Sequence, residues 1–251
     1  MNKAKVKKVL GIVMLCLTAA GYIGFVEKQN QSRTFNQVEV NLEAVSGVYF
    51  VEEKEILTIL SSSFPELKKG LPMQDVPLND IEDRLLGHPF IRTVEASMDQ
   101  QGIVKLNLTQ HEPIARIARP ESADGYITKD GLLIATSPTY TSRVLILQGP
   151  YISSLMDQGR LDVLPELMPL IHFIVNDKFW SAQVTELEIN GRNDIRIHQQ
   201  VGKQVIEFGD AKDFESKFNR IGVLYKEILP RKGWDAYKRI SVKYKNQIVC
   251  E

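Results

Sequence analysis

Four histidines are the first residues to test for chemistry: His88, His111, His172 and His198. Imidazole titrates near neutrality and serves as a general base or a metal ligand. That work needs a second group close by, as in the H-E-x-x-H spacing that sets two ligands one helical turn apart. None of the four sits in that pattern. His88 precedes a proline at a helix–strand junction, His172 lies in an amphipathic stretch, and His198 lies in a strand pattern, so each reads as structural or surface. His111-Glu112-Pro113 has the residue types of an acid/base pair, but it ends one strand and opens a new region, which suits a hinge. Asp80, Glu82 and Asp83 form a carboxylate cluster, yet they fall in the first turn of a helix, where the dipole favours acidic side chains. There is no G-x-S-x-G, P-loop or G-x-G-x-x-G. The two cysteines, Cys16 and Cys250, give neither a disulfide framework nor a metal-ligand spacing. The expectation is a protein without catalytic residues, metal or cofactor.

Lys+Arg and Asp+Glu are equal at 31 each, so no global field draws the chain to nucleic acid. The one dense basic cluster is Lys3, Lys5, Lys7 and Lys8. An uncharged run, Val9 to Val26, follows it. About eighteen residues at a rise of about 1.5 Å come close to crossing a hydrocarbon core of about 30 Å. The lysines ahead of the run place the N-terminus in the cytoplasm and the remainder across the membrane. A cleaved signal peptide is the competing reading. Its apolar region is ordinarily shorter, whereas here apolar residues continue past Ala19-Ala20-Gly21 to Val26. The chain thus reads as a cytoplasmic tail (1–8), a single transmembrane helix (9–26), a polar linker (27–35) and an extracytoplasmic portion.

Two regions follow the linker. From 36 to 112 the pattern is strand, helix, helix, strand, strand. Val38, Val40 and Leu42 alternate. Ile56, Ile59 and Leu60 mark one helix, and Ile81, Leu85 and Leu86 mark a second, with Asn79 and Glu82 placed for an N-cap pair. Val104, Leu106 and Leu108 then alternate beyond a turn at Gln100–Gly102. This is a compact α+β unit with its helices on one face of a three-stranded sheet.

From 113 to 251 the chain reads as an antiparallel β-rich domain with two covering helices. Lys129-Asp130-Gly131 marks a hairpin, and the buried strand "RVLILQGP" ends at Gly149-Pro150. A helix over 160–176 carries Leu161, Leu164, Leu167, Ile171 and Ile174, and Pro169 should kink it. Turns at Asn190-Gly191 and near Gly202 divide three strands. Phe214, Phe218, Ile221, Tyr225 and Ile228 stripe a helix that Asp210 can cap and Pro230 stops. "RISVKYKNQIVCE" closes the sequence as one strand, with Ile240, Val242, Tyr244 and Ile248 inward and Ser241, Lys243, Lys245 and Gln247 outward.

This order of parts resembles the bacterial cell-division family FtsQ, called DivIB in Gram-positives. "IEDRLLGHPFIRTVEASM" and "GIVKLNLTQHEPIARI" resemble its POTRA domain and the junction motif E-x-P-x-A, carried here by Glu112, Pro113 and Ala115. "GYITKDGLLIA", "RVLILQGP", "FESKFNRIGVLYKEIL" and "ISVKYKNQIVCE" resemble successive pieces of its β domain. The resemblance implies a non-enzymatic scaffold of the divisome, in the cytoplasmic (inner) membrane at the division septum. It implies binding of the coiled-coil proteins FtsB and FtsL through a late β-domain strand, and help in controlling septal peptidoglycan synthesis by FtsW and FtsI. The partner-binding residues it implies are Lys243, Tyr244, Lys245, Asn246, Gln247, Ile248 and Val249. One departure stands out. The family's Asp-x-Arg-Tyr is Ser241-Val242-Lys243-Tyr244 here, which removes the acid and the bidentate fork. Two alternatives are a POTRA-containing outer-membrane assembly or secretion factor and a periplasmic envelope enzyme.

Overall fold

The computed structural model describes residues 14–15, 17–20, 22, 33–45, 50–137, 141–157 and 164–251. Most of the expected membrane span lies outside the described residues. Those of its residues that are described are helical and exposed. Among the described residues no helix is long and apolar enough to cross a membrane. The chain divides into two compact units between Gln110 and His111.

The first unit is a three-stranded sheet under two helices. Strand β1 (Gln37–Leu42) runs parallel to β3 (Ile103–Gln110), and β2 (Ile91–Met98) runs antiparallel to β3, in the order β1-β3-β2. Helices α1 (Glu53–Ser63) and α2 (Leu78–Leu86) bury Ile56, Leu60, Ile81 and Leu85. They meet Val104, Leu106 and Leu108 on the inner face of β3, all at most 1% exposed. The turn between β2 and β3 needs Gly102: its φ is +77°, and a Cβ there would lie 2.0 Å from the Thr34 carbonyl oxygen.

Two expectations for α2 fail. Asn79 does not cap it, because the helix starts at Leu78, directly after Pro77, which puts Asn79 inside the first turn, and no side chain caps it. Glu82 instead accepts a hydrogen bond from the Ala96 amide at 2.6 Å and so ties the helix to β2. Leu86 is 45% exposed rather than buried, since the inward stripe ends at Leu85.

The second unit is a nine-stranded sheet in the order β12-β11-β10-β9-β8-β7-β4-β5-β6. Its strands are β4 (Pro113–Ile117), β5 (Gly125–Thr128), β6 (Leu133–Ala135), β7 (Leu145–Gln148), β8 (Val184–Gly191), β9 (Asp194–Gln199), β10 (Val205–Gly209), β11 (Arg239–Ser241) and β12 (Val249–Cys250). The expected antiparallel domain is in fact mixed. β4 with β7, β7 with β8, and β10 with β11 pair in parallel. Each of those connections carries helix or hairpin, which gives the chain room to cross over and re-enter in the same direction.

Alternation divides the sheet faces. Leu147, Leu187, Ile189, Ile195, Ile197, Ile206, Phe208 and Ile240 face a helical layer and are buried. That layer comprises α3 (Pro150–Asp157), α4 (Leu164–Asn176), α5 (Trp180–Gln183), α6 (Phe214–Val223) and α7 (Leu229–Lys232). Helix α4 runs through Pro169 and buries Leu167, Leu170, Ile171 and Ile174. Leu161 lies outside the described residues. The sequence patterns did not mark α3 or α5. Gly149 lets β7 turn into α3 at a φ of +119°, where a Cβ would lie 2.6 Å from the Ile189 carbonyl oxygen.

Helix α6 departs from expectation at both ends. Asp213, not Asp210, sits at the N-cap position, with a left-handed φ of 49°. Asp210 accepts a hydrogen bond from the Lys217 ammonium at 2.6 Å, and Lys217 also lies over the Phe208 ring at 4.8 Å. At the other end Pro230 does not stop the helix. It lacks the N–H that would bond back to Lys226, and a π-helical turn (Leu224–Ile228) leads into α7, whose first turn contains the proline.

Candidate functional site

The structure keeps the four histidines in separate surroundings. His88 Nε2 lies 3.3 Å from Glu55 Oε1, which ties α2 to α1. His172 is half-buried on α4. His198 Nε2 lies 3.0 Å from Glu188 Oε2 and 3.6 Å from Glu186 Oε1 on the neighbouring strand. His111 opens the second unit. No cluster of His, Cys, Asp or Glu among the described residues could hold a metal ion.

The junction motif has a packing explanation. Pro113 starts β4, where its missing N–H costs least. Ala115 is fully buried. Glu112 accepts a hydrogen bond from Lys129 Nζ at 3.3 Å, and its carbonyl oxygen accepts one from the Lys129 amide at 2.8 Å. The motif therefore fixes the start of β4 against the β5–β6 turn.

The C-terminal segment differs most from expectation. It is a hairpin, not one strand. β11 ends at Ser241, the chain turns through Tyr244, Lys245 and Asn246, and β12 returns antiparallel with Ile240 opposite Cys250 and Ser241 opposite Val249. Asn246 takes a left-handed φ of 59°, a conformation that asparagine tolerates better than most side chains. Tyr244, expected in the core, is 57% exposed because it stands on this turn. Ile240 and Val242 are fully buried, as the alternation required.

The outermost strand of the sheet is therefore β12. Arg239 and Glu251 exchange both main-chain hydrogen bonds, at 3.0 and 2.9 Å. In an antiparallel ladder such pairs alternate with pairs that make no bond to each other. The Ile240–Cys250 pair is thus the second kind, and the N–H and C=O of Cys250 point off the sheet. The Cys250 thiol is half-buried, and burial pushes its pKa up.

Arg220 on α6 holds the hairpin closed. Its guanidinium donates to three main-chain carbonyl oxygens: Tyr244, Gln247 at 2.8 Å and Val242 at 3.1 Å. Charge pairs brace the outer face. Lys243 Nζ lies 3.7 Å from both Glu207 Oε2 and Asp194 Oδ1. Arg239 pairs with Glu207 at 3.3 Å and with Glu251. Lys243 thus makes two ion pairs, while Ser241, expected on the outer face, is buried and leaves its Oγ without a hydrogen-bond partner.

A family model described as FtsQ/DivIB, C-terminal related, matches residues 112–251, and a POTRA-like domain model matches residues 34–109. The chain belongs to the FtsQ/DivIB family. Curated proteins provide no matching relative. Membership makes the chain, in general terms, a member of a membrane-associated, non-enzymatic scaffold family of the divisome. The mixed α+β architecture, with a POTRA-like unit followed by a β-rich unit, is that of the family.

Electrostatics in this FtsQ-type unit predict an acid sensitivity. Burial pushes the Asp210 carboxyl up, but the hydrogen bond and charge of Lys217 outweigh it and hold the pKa below the usual aspartate value. Glu188 is likewise lowered, first by its hydrogen bond from Asn190 and then by His198. A carboxyl with a lowered folded-state pKa adds stability that is present above its unfolded value, about 4, and is lost as pH falls through the folded value. The wild type is expected to lose denaturant stability below about pH 4 more steeply than Asp210→Asn. Parallel curves for the two proteins would show that the Asp210–Lys217 pair does not couple folding to pH.

Proposed function

We propose that the protein is a single-pass divisome scaffold whose β12 edge and hairpin capture an FtsB- or FtsL-type partner by strand addition. Through that partner it helps to control septal peptidoglycan synthesis by FtsW and FtsI. The observation that carries the reading is the open main-chain edge at Cys250, on a hairpin that Arg220 holds rigid. Strand addition draws affinity from main-chain bonds and specificity from neighbouring side chains. An edge only two residues long offers few such bonds, which protects it against indiscriminate pairing. Partner contact must then extend over Lys243, Tyr244, Lys245, Asn246, Gln247, Ile248 and Val249, of which Tyr244 and Val249 supply exposed apolar surface.

The uncharged run at 9–26, behind its four lysines, supports an anchor in the cytoplasmic membrane with the two units outside it. The POTRA-like unit would then help to direct the protein to the septum. The test is quantitative capture of purified FtsB- and FtsL-type domains by the protein in nanodiscs. Tyr244→Ala is expected to weaken capture by about tenfold, the range of an exposed aromatic anchor. Unchanged affinity would remove the hairpin from the interface, and depletion that leaves cells dividing normally would remove the divisome role.

A further inference from the structure

The sheet of the first unit has two edges, β1 and β2, and they are not equally open. On β2, the Asp99 amide donates to the Ile103 carbonyl oxygen at 3.0 Å, so the antiparallel alternation turns the main chain of Val94, Ala96 and Met98 off the sheet. The Glu82 carboxylate already occupies the middle of these amides, that of Ala96. On β1, the Glu43 amide donates to the Leu108 carbonyl oxygen at 3.0 Å, so the odd-numbered residues face β3 and Val38, Val40 and Leu42 turn their N–H and C=O groups outward. Among the described residues nothing bonds to those groups. Side-chain cover is incomplete at the same place. Val38, Val40 and Leu42 pair with Val104, Leu106 and Leu108 and share their face, yet they are half-buried where the β3 residues are sealed.

We propose that β1 is completed by β1 of a second copy of this chain, antiparallel about a two-fold axis, so that the sheet of one copy continues into that of the other. The segment is complementary to itself in one register. With its outward groups on even positions, the edge permits pairings centred on Glu39, Val40 or Asn41. Centring on Glu39 sets that carboxylate against its own copy, and centring on Asn41 sets Glu39 against Glu43. Like charges directly opposite destabilise a sheet. Centring on Val40 avoids both. It sets Gln37 against Glu43, and Glu39 against Asn41, whose Nδ2 keeps one N–H beyond its bond to Asn107 Oδ1 at 3.2 Å. On the opposite face Val38 meets Leu42 and Val40 meets its own copy, so apolar pairs with apolar throughout. Every outward N–H of one strand then meets an outward C=O of the other. The two strands start about 20 Å apart. The linker over 27–35 reaches about 30 Å when extended, so two copies anchored in one membrane can meet in this way. A six-residue contact is small, and the pairing depends on the local concentration that a membrane provides.

The test uses the full-length chain in liposomes, with Cys16→Ala and Cys250→Ala removing the native thiols. Copies carrying Glu39→Cys and copies carrying Asn41→Cys, distinguished by size tags, are mixed and oxidised. In the Val40-centred pair these positions lie directly opposite at a non-hydrogen-bonded site, about 4.5 Å between Cα atoms and within reach of a disulfide. Position 39 lies about 8 Å from its own copy, beyond that reach. The mixed disulfide dimer is expected to dominate over either self-linked product. Energy transfer between labelled copies that retain Glu39 and Asn41 measures the pairing independently. Asn41→Glu, at an exposed position, should weaken it about fivefold, because the two-fold axis creates the like-charge pair twice, and Asn41→Lys should strengthen it. Val40→Pro should abolish it and leave the β1–β3 ladder intact, since the Val40 N–H faces outward. Cys250→Pro should not change it, which separates this edge from β12. An excess of self-linked product overturns the proposal. Energy transfer indifferent to Asn41 charge and to Val40→Pro overturns it in favour of association through the anchor. No energy transfer at any protein-to-lipid ratio overturns it and leaves the edge to a strand of another protein.

Discussion

Cys250→Pro is expected to weaken capture of a partner strand by about a hundredfold while the protein stays folded. The alternation set by the Arg239–Glu251 bonds turns the Cys250 N–H away from β11, so proline removes no hydrogen bond within the unit. An outward position on an edge strand is where a sheet accepts proline. An incoming strand, however, loses a donor and meets a ring where its carbonyl oxygen should lie. Together these cost about 3 kcal/mol, or about two orders of magnitude in affinity. Cys250→Ala, which keeps the N–H, should bind almost as the wild type does, because the bond belongs to the main chain. Isothermal titration with the FtsB-type domain, alongside thermal unfolding of each variant, checks both statements. Undiminished binding by a folded Cys250→Pro protein would show that partners do not add a strand at β12.

The sequence showed most of the skeleton because its periodicities were clean. Val104, Leu106 and Leu108 alternate without interruption and form the buried face of β3. Phe218, Ile221 and Tyr225 keep the helical spacing and are buried under α6 and its π-turn. Periodicity is a local signal, however, and it carries no information on which strands become neighbours. The parallel pairings of β7 with β4 and β8 were therefore invisible. Short elements were hidden for a related reason. Trp180–Gln183 is one helical turn, too short to repeat any pattern.

The candidate site was legible in place but not in shape. The alternation from Ile240 to Ile248 fits one strand except at Asn246, a polar residue on the otherwise apolar face. What breaks the strand is distant. Arg220 lies more than twenty residues upstream, on another element, and gathers the carbonyl oxygens of Val242, Tyr244 and Gln247. The turn at Lys245-Asn246 was the local clue, since lysine and asparagine are poor strand formers and asparagine accepts a left-handed backbone.

Arg220→Ala is expected to release the hairpin, with a loss of about 2–3 kcal/mol in stability and at least tenfold in partner affinity. A hydrogen bond from a charged donor contributes about 1.5–3 kcal/mol, and three bonds that share one partly exposed guanidinium fall well short of their sum. Arg220→Lys should recover little. An ammonium is a compact charge, whereas the guanidinium fork can meet carbonyl oxygens lying in different directions at once. Arg239→Ala is the contrasting case. It removes exposed pairs with Glu207 and Glu251, each worth less than about 1 kcal/mol, and leaves the main-chain ladder intact. Amide hydrogen exchange over 242–250 distinguishes the variants: faster in Arg220→Ala, slightly changed in Arg220→Lys relative to Ala, and near wild type in Arg239→Ala. If Arg220→Ala lowers overall stability but leaves exchange in the hairpin as it was, the guanidinium supports α6 rather than the edge, and the rigidity of the capture surface must come from the Lys243 ion pairs instead.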